Sequence, residues 1–270
     1  MLWFGTRDAG SLIGDDQAAV SPADRGFTVG EGVFETLVVR HGRPFALERH
    51  LERLLNSAAI LRLPAPDPAV VRSAAAAVLD TASGTVLERA RLRITYTAGD
   101  PQGLPTLMVT CMAFQELPDR TTAITVPWVR NERSGIAGAK STSYAENAVA
   151  LAKARGAHAT EAILANTVDQ LCEGATSNVF VVIDGQALTP ALASGCLPGV
   201  TRQLVIEWFR ADEATLPYDI LHTADEIFLT SSTRGIQPVV RLDDRVLDVG
   251  PVTARLRGEF LELAADNVNP

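Results

Sequence analysis

The sequence predicts an α+β fold with two domains, on three observations. Segments typical of strands and of helices are mixed without strict strand–helix–strand alternation, which favours mixed or antiparallel sheets over a doubly wound sheet. The chain has 270 residues, which is long for a single core. A polar, proline-bearing break, QELPDRTT from Gln115 to Thr122, separates two apolar halves. We therefore expect an N-terminal domain at 1–115, a linker at about 116–121 and a C-terminal domain at 122–270.

The first half is expected to hold four strands and two helices. The apolar run from Phe34 to Val39 predicts a strand, and an HGR turn leads to a second short strand. The leucine spacing in ALERHLERLLNSAAIL predicts an amphipathic helix. Asp67-Pro68 starts the second helix, because aspartate is a good cap and proline suits the first turn. The alternating ARLRITYTAG and the more apolar PTLMVTCMAF predict two further strands.

The second half is expected to combine strands, a hairpin and three helices. Strands are predicted at AITVPW, EAILAN and EIFLTSS. The segment NVFVVIDGQALTP predicts a hairpin, because Asp184-Gly185 is a turn dipeptide between two apolar runs. Helices are predicted after Tyr144, after Gly199 and from about Val252.

Composition excludes several classes of function. The formal net charge is −8, which argues against nucleic-acid binding but allows a small anionic substrate in a local positive pocket. The chain has neither an apolar run long enough for a membrane span nor a secretory signal at its start, so a cytoplasmic location is expected. The three cysteines and four histidines lack the spacing of a disulfide framework or a metal site, and no metal is predicted.

Four short segments carry candidate chemistry, and each also has a plain structural interpretation. Lys140 is either a solvated charge or an imine-forming lysine, which requires desolvation or nearby cations. Glu173 is either a surface acid or a partner for a protonated ring nitrogen. LPGVTR could bind an anion at a helix start or simply contain an N-cap at Thr201, and LTSSTRG is either a phosphate cup or a polar turn.

Taken together and in order, these segments resemble a known family. Lys140, Glu173, SNVF, TP, LPGVTR and FLTSS, with the N-terminal DRGFTVGEGVFET and ALERHLERL, are similar to class IV, or fold-type IV, pyridoxal 5'-phosphate (PLP) enzymes. The resemblance runs from about Asp24 to Pro238. It implies a small N-terminal α/β domain, a larger C-terminal mixed-sheet domain, PLP between them, and a homodimer that completes each substrate pocket.

The resemblance also implies residue roles. Lys140 would be the catalytic residue, forming an aldimine with PLP and moving a proton through a quinonoid intermediate. Tyr144 would hydrogen-bond the phenolate oxygen, and Glu173 would bind the pyridine nitrogen. Leu197 would pack on a face of the ring. Contacts to the phosphate are implied for Arg53, Val200, Thr201, Ser231 and Ser232.

The sequence motifs distinguish less clearly among the subgroups of this family. KSTSY lacks the two glycines and the longer lysine–tyrosine spacing of the branched-chain aminotransferases. The carboxylate trap of D-amino-acid aminotransferases resembles a Tyr where this chain has Phe34, with an Arg-x-His in the loop that reads TAGDPQGLP here. Another arginine would then bind the substrate carboxylate, because a guanidinium fork matches it well. The candidates are Arg25, Arg93, Arg130, Arg133 and Arg234, and Thr233 is a further pocket candidate.

The resemblance therefore implies a PLP-dependent aminotransferase. It would move an amino group between a D-amino acid, or an (R)-amine, and a 2-oxo acid. The alternative is aminodeoxychorismate lyase, which releases p-aminobenzoate and pyruvate, and a weaker alternative is a branched-chain aminotransferase. A catalytically silent relative is disfavoured, because it would have no need of Lys140 together with Glu173. The expected partners are an amino donor, a 2-oxo acid and a second copy of the chain, with no nucleic acid and no membrane.

Overall fold

A computed structural model of the chain describes residues 1–17, 20–82, 88–101, 103–115 and 117–270. These residues form two compact units. The first unit comprises Met1–Glu116, Ala139–Tyr144 and Val268–Pro270, and the second comprises Leu117–Gly138 and Ala145–Asn267. Glu116, the first residue of the predicted linker, lies outside the described residues.

Two short segments depart from the expected domain division. The sequence places Ala139–Tyr144 and Val268–Pro270 in the C-terminal domain, whereas they group with the first unit. The reason is backbone hydrogen bonding: Phe34 N donates to Lys140 O at 2.9 Å, and Ala46 N donates to Val268 O at 2.7 Å. Lys140 therefore belongs to the first unit. Separate folding of 1–115 and 122–270 stays a prediction.

The first unit is built on an antiparallel sheet in the order β2-β1-β6-β5-β3-β4. Its strands are β1 (Leu2–Thr6), β2 (Gly10–Ile13), β3 (Gly32–Arg40), β4 (Arg43–Pro44), β5 (Arg89–Thr97) and β6 (Thr106–Ala113). Its helices are α1 (Arg25–Thr28), α2 (Leu47–Ile60) and α3 (Pro68–Thr81), with a 3-10 turn at Asp15–Gln17. The predicted cap of α3 is confirmed, since the Asp67 side chain accepts a hydrogen bond from Ala69 N.

Strand β3 positions the residues of interest in this unit. It pairs with β5 from Gly32↔Thr97 to Arg40↔Arg89. Successive side chains of a strand point to opposite faces. On one face, α2 buries Leu51, Leu54 and Ala58 in the core of the unit. The other face carries Phe34, whose side chain is considered with the site below.

The second unit is built on a mixed sheet in the order β12-β11-β10-β13-β14-β7-β8-β9, with β15 paired to β14. Its strands are β7 (Thr121–Arg130), β8 (Glu161–Asn166), β9 (Leu171–Gly174), β10 (Asn178–Ile183), β11 (Gln186–Pro190), β12 (Asp212–Ala214), β13 (Glu226–Ser231), β14 (Gly235–Leu242) and β15 (Arg245–Val246). Its helices are α4 (Ala145–Gly156), α5 (Val200–Phe209) and α6 (Pro251–Asp266), with 3-10 turns at Leu192–Ser194 and Tyr218–His222.

The α+β prediction is confirmed, and so is the hairpin of β10 and β11. Asp184 and Gly185 both have positive φ, as a two-residue hairpin turn requires. Strand β14 was not predicted, because Pro238 within it argues against an interior strand. No helix in the described part of the chain is long and apolar enough to cross a membrane.

Candidate functional site

Lys140 is fixed through its backbone to β3 and α2 of the first unit. Its N–H donates to Ser57 Oγ at 3.1 Å, and its carbonyl accepts from Phe34 N at 2.9 Å. Ser141 forms a bridge with Val33 of the same strand. The lysine therefore starts from a rigid backbone, although the residues around it form neither helix nor strand.

The Lys140 side chain lies among aromatic rings. Its Nζ is 4.4 Å from the ring centroid of Phe34 and 6.0 Å from that of Tyr144. The two rings meet edge to face, with centroids 5.4 Å apart. Aromatic faces attract cations, so these rings favour a defined position of the ammonium group. The structure thus brings three sequence-predicted site residues together.

Arg93 lies on the same ring. Its Cζ is 3.5 Å from the Phe34 centroid, its Nε donates to Thr95 Oγ1 at 3.2 Å, and its Nη1 donates to Thr36 Oγ1 at 3.5 Å. Burial lowers the pKa of Arg93 to about 10. Within the described ranges, no carboxylate forms an ion pair with this guanidinium. Among the described residues, its direct contacts are therefore hydroxyls and an aromatic ring, while Glu35 and Tyr144 act on its charge from a distance.

Arg53, the predicted phosphate contact, is held by a buried carboxylate of the same unit. Its Nε and Nη2 donate to Glu35 Oε1 and Oε2 at 2.8 and 2.6 Å, and His50 Nδ1 lies 2.6 Å from Oε2. Burial alone would raise the pKa of Glu35, but Arg53 and then His50 outweigh it and lower this pKa to about 2. Burial lowers the pKa of His50 against the attraction of Glu35. The network fixes the guanidinium in place on α2.

Glu173 lies in β9 of the second unit and is buried. Its Oε1 accepts from Arg130 Nε at 3.0 Å, and its Oε2 accepts from Leu197 N at 2.9 Å. The Leu197 carbonyl accepts from Asn178 Nδ2 at 2.8 Å. The structure therefore brings the predicted ring-nitrogen partner and the predicted ring-packing residue into direct contact.

The start of α5 is shaped to accept an anion. Gly199 is the N-cap, so the alternative in which Thr201 caps this helix is wrong. Val200 and Thr201 are the first helical residues, and the first-turn N–H groups of a helix lack intrahelical partners. A Cβ on Gly199 would overlap Asn178 Oδ1, so only glycine fits there.

A buried hydroxyl lies beside this helix start. Thr230 is the cross-strand partner of Asn178, and partners in an antiparallel ladder share a face. Thr230 Oγ1 is buried and is without a hydrogen-bond partner among the described residues. Such an orphaned group normally has a partner in native proteins, so it fits a site that accepts a polar ligand.

The remaining predicted residues follow Thr230. Ser231 ends β13, and its Oγ accepts from Arg234 N at 3.3 Å. The Arg234 guanidinium is 3.5 Å from the fully buried Glu161 and donates to Thr160 O at 3.2 Å. Arg234 is thus engaged within its own unit. Ser232 and Thr233 lie in the turn before β14.

The functional groups of each unit, taken separately, fit the groups of PLP. The first unit offers an amine on Lys140 beside the Tyr144 hydroxyl, together with Arg53. The second offers the Glu173 carboxylate for a protonated ring nitrogen, and the glycine-lined helix start with the orphaned Thr230 hydroxyl for a phosphate. An amine, a buried carboxylate and an anion cradle are the groups that this cofactor requires.

Sequence reasoning missed several residues of these networks. Glu35 stands in the apolar strand GVFETLVV, and an acid within a buried run signals a buried partner, which is Arg53. Asn178 and Thr230 lie within the candidate segments SNVF and LTSSTRG, but neither residue was singled out there, because small polar residues at strand ends are common.

Comparisons with known proteins identify a family to which the chain is similar. The profile of the family Amino-transferase class IV matches residues 32–242. A Methanocaldococcus jannaschii protein, provisionally assigned as a branched-chain-amino-acid aminotransferase, is 32% identical over 94% of each chain. The D-alanine aminotransferase of Listeria innocua is 31% identical over 93% of each chain. The bifunctional aminodeoxychorismate lyase / D-amino acid transaminase of Mycobacterium tuberculosis is 32% identical, over 94% of this chain and 93% of its own.

Solved structures share the fold. A fold IV transaminase from Curtobacterium pusillum superposes with a TM-score of 0.87 at 31% identity, over 97% of this chain and 99% of its own. A hypothetical aminotransferase from Mycobacterium tuberculosis, in its PLP-bound form, has a TM-score of 0.88 at 29% identity, over 98% of this chain and 100% of its own. The chain therefore has the fold-type IV architecture and belongs to the class IV aminotransferases, a family of PLP-dependent enzymes.

Proposed function

We propose that the chain moves an amino group between a D-amino acid and a 2-oxo acid with PLP bound at Lys140, and that it also accepts (R)-amines. The observation that carries this proposal is the placement of two cations on one ring. Lys140 Nζ and Arg93 Cζ lie 4.4 and 3.5 Å from the Phe34 centroid. The Phe34 ring thus lies beside two functional groups. One is an amine, which can react with a carbonyl, and the other is a guanidinium, which is suited to bind a carboxylate.

In this proposal, each residue has one task. Bound PLP would supply an electron sink for the electron pair left at the substrate Cα. Lys140 Nζ would hold the cofactor until the substrate amine replaces it there, and the released amine would then take up the proton that leaves the substrate Cα. Glu173 stabilises the proton on the ring nitrogen, and Tyr144 donates a hydrogen bond to the phenolate oxygen.

The residues proposed to contact the phosphate of PLP all carry groups that can bind an anion. Val200 and Thr201 would donate their backbone N–H groups to the phosphate, because the N–H groups of the first turn point out of the N-terminal end of the helix. Leu197 would pack on the ring, since its backbone is fixed at both N and O. The other proposed phosphate contacts are Arg53, Ser231 and Ser232.

Arg93 is the best supported of the candidate carboxylate-binding arginines. Arg25 pairs with Glu31, Arg130 with Glu173 and Arg234 with Glu161. Arg133 is exposed. Arg93 is largely buried, and its guanidinium contacts two threonine hydroxyls and the Phe34 ring. A buried guanidinium gains from a carboxylate partner, so Arg93 would bind the substrate carboxylate beside Phe34. Thr233, in the second unit, stays a candidate for the substrate pocket.

The direct test is amino transfer from D-alanine to 2-oxoglutarate by the PLP-loaded protein, with L-alanine as the stereochemical control. We expect pyruvate and glutamate from the D isomer alone, and none from the Lys140→Ala variant. Equal rates with both isomers, or activity in Lys140→Ala, would refute the proposal.

A second candidate is aminodeoxychorismate lyase, favoured by the Mycobacterium tuberculosis relative that carries both activities. The lyase releases p-aminobenzoate with no 2-oxo acid present. Assaying p-aminobenzoate therefore separates the two activities. L-leucine as donor tests the branched-chain activity to which the Methanocaldococcus jannaschii relative is provisionally assigned.

A further inference from the structure

Arg130 contacts the carboxylate that the proposed function assigns to the cofactor ring. It ends β7, while Glu173 lies in β9, two positions away in the order β7-β8-β9. The Arg130 Nε donates to Glu173 Oε1 at 3.0 Å, and the two side chains are only 18% and 10% exposed. A charge-assisted hydrogen bond with so little solvent is stronger than a surface ion pair.

The other oxygen of the same carboxylate is also held. Leu197 N donates to Glu173 Oε2 at 2.9 Å, and Asn178 Nδ2 fixes the Leu197 carbonyl at 2.8 Å. Because a donor contacts each of the two oxygens, the plane of the carboxylate is set. The direction of its remaining lone pairs is then set as well.

Arg130 is itself anchored on its far side. Its Nη1 lies 3.5 Å from Oδ1 of the buried Asn147, which in turn donates from Nδ2 to the Ala175 carbonyl. Its contact with Glu146 is 3.6 Å to a side chain that is 79% exposed, so that contact contributes little. The guanidinium is therefore held in its position beside Glu173 by buried groups.

We propose that Arg130 is a positioning residue that fixes the orientation of the Glu173 carboxylate toward the ring nitrogen of the cofactor and places a positive charge beside it. This rests on the proposed function. A nearby cation favours the carboxylate form, and it also draws charge from the oxygen that faces it. Arg130 thus sets how strongly Glu173 holds the ring proton, without touching the substrate.

Two substitutions separate charge from geometry. Arg130→Met removes the charge and the hydrogen bond while keeping most of the side-chain length. We expect it to bind PLP about tenfold more weakly and to lower kcat about 10- to 100-fold with little change in KM. We also expect the pH midpoint of the visible band of the bound cofactor to rise, because removal of a cation favours protonation nearby.

Arg130→Lys keeps the charge and loses the Nε geometry. In this variant we expect the visible band of the bound cofactor to have the wild-type pH midpoint. We expect its kcat to lie between those of the wild type and Arg130→Met. If Arg130→Met fails to fold, this variant decides: wild-type kcat and wild-type PLP affinity in Arg130→Lys would overturn the positioning role.

The matched control is Arg155→Met, the same substitution at an exposed arginine of α4. Arg130→Met is also made in the Glu173→Gln variant, which completes a double-mutant cycle. If Arg130 acts through Glu173, the loss of kcat caused by Arg130→Met should largely vanish in that variant. Additive losses, or an Arg130→Met variant that matches Arg155→Met in affinity, rate and pH midpoint, would overturn the inference. A wild-type protein without any cofactor band would instead refute the proposed function itself.

Discussion

Phe34 links the two cations of the first unit. Its ring centroid lies 4.4 Å from Lys140 Nζ and 3.5 Å from Arg93 Cζ. In the D-amino-acid aminotransferases that the sequence resembles, a tyrosine at this position takes part in binding the carboxylate. Because phenylalanine has no hydroxyl, the proposed carboxylate contact is assigned to Arg93, the adjacent guanidinium.

Arg93→Gln tests this residue-scale assignment. We expect the KM for D-alanine to rise about 10- to 100-fold, because a hydrogen bond to a charged group contributes about 1.5–3 kcal/mol. PLP affinity should stay near the wild-type value. The control is Arg91→Gln, two residues along the same strand and exposed. Steady-state kinetics with an unchanged KM in Arg93→Gln would contradict the assignment.

Strand β3 and helix α2 are joined by a buried charge network. Glu35 on the strand is bound by His50 and Arg53 on the helix. Removing one member would leave a buried charge without its partner, which is strongly destabilising. The network therefore contributes to stability as well as to the position of Arg53.

This network predicts acid sensitivity. The pKa of Glu35 is lowered from 4.5 to about 2 in the folded chain, so its contribution is present above pH 4.5 and is lost as pH falls toward about 2. That contribution is about 3 kcal/mol. The lowered pKa of His50 acts in the same direction below pH 6.5, because the unfolded chain takes up the proton first.

Urea unfolding across this pH range measures the effect. The free energy of unfolding should fall below pH 6.5 and fall further below pH 4.5. The Glu35→Gln variant should be less stable near neutral pH and should show a flatter decline in acid. Parallel pH profiles for the two proteins would contradict the role of Glu35.

The start of helix α5 makes a second element-scale prediction. In Gly199→Ala, the added Cβ would overlap Asn178 Oδ1. Asn178 would then lose its hold on the Leu197 carbonyl, and overpacking of this kind costs about 1–3 kcal/mol. We expect lower thermal stability and weaker PLP binding.

Gly258→Ala is the control for that variant. Gly258 lies in α6, and a Cβ there meets no atom within 4 Å. The substitution should raise the free energy of unfolding by roughly 0.5–1 kcal/mol. If Gly199→Ala also raises the free energy of unfolding, the close approach of Asn178 Oδ1 to Gly199 does not require glycine at this position.

At the scale of the whole molecule, the sequence predicted the α+β class and most elements, because periodicity and caps are local signals. The helix α3 cap at Asp67 and the turn at Asp184-Gly185 were read from single dipeptides. The short strands β1 and β2 and the proline-containing β14 were missed. Strand β1 also pairs with β6, and β14 also pairs with β7, and such long-range pairing leaves no local signal in the sequence.

The site was predicted unevenly for the same reason. Lys140 and Glu173 were identified only through the ordered resemblance, because each alone is an ordinary charge. Choosing Arg93 among five arginines needed the structure, since ion pairs such as Arg234–Glu161 join residues far apart in sequence. The grouping of Lys140 with the first unit depended on a hydrogen bond from Phe34 N.

The homodimer implied by the resemblance stays a whole-molecule prediction. Sedimentation of the purified protein should give a mass of about twice the 28.8 kDa of one chain. A protein that sediments as a monomer and still transfers amino groups at full rate would contradict it.

The central claim is tested most directly by one spectrum. The purified protein, incubated with PLP, is observed in the visible range before and after D-alanine is added without a 2-oxo acid. The account predicts a visible band that disappears on addition, with about one pyruvate formed per chain. The absence of any band, or a band that D-alanine leaves unchanged, would contradict a D-amino-acid aminotransferase built on Lys140.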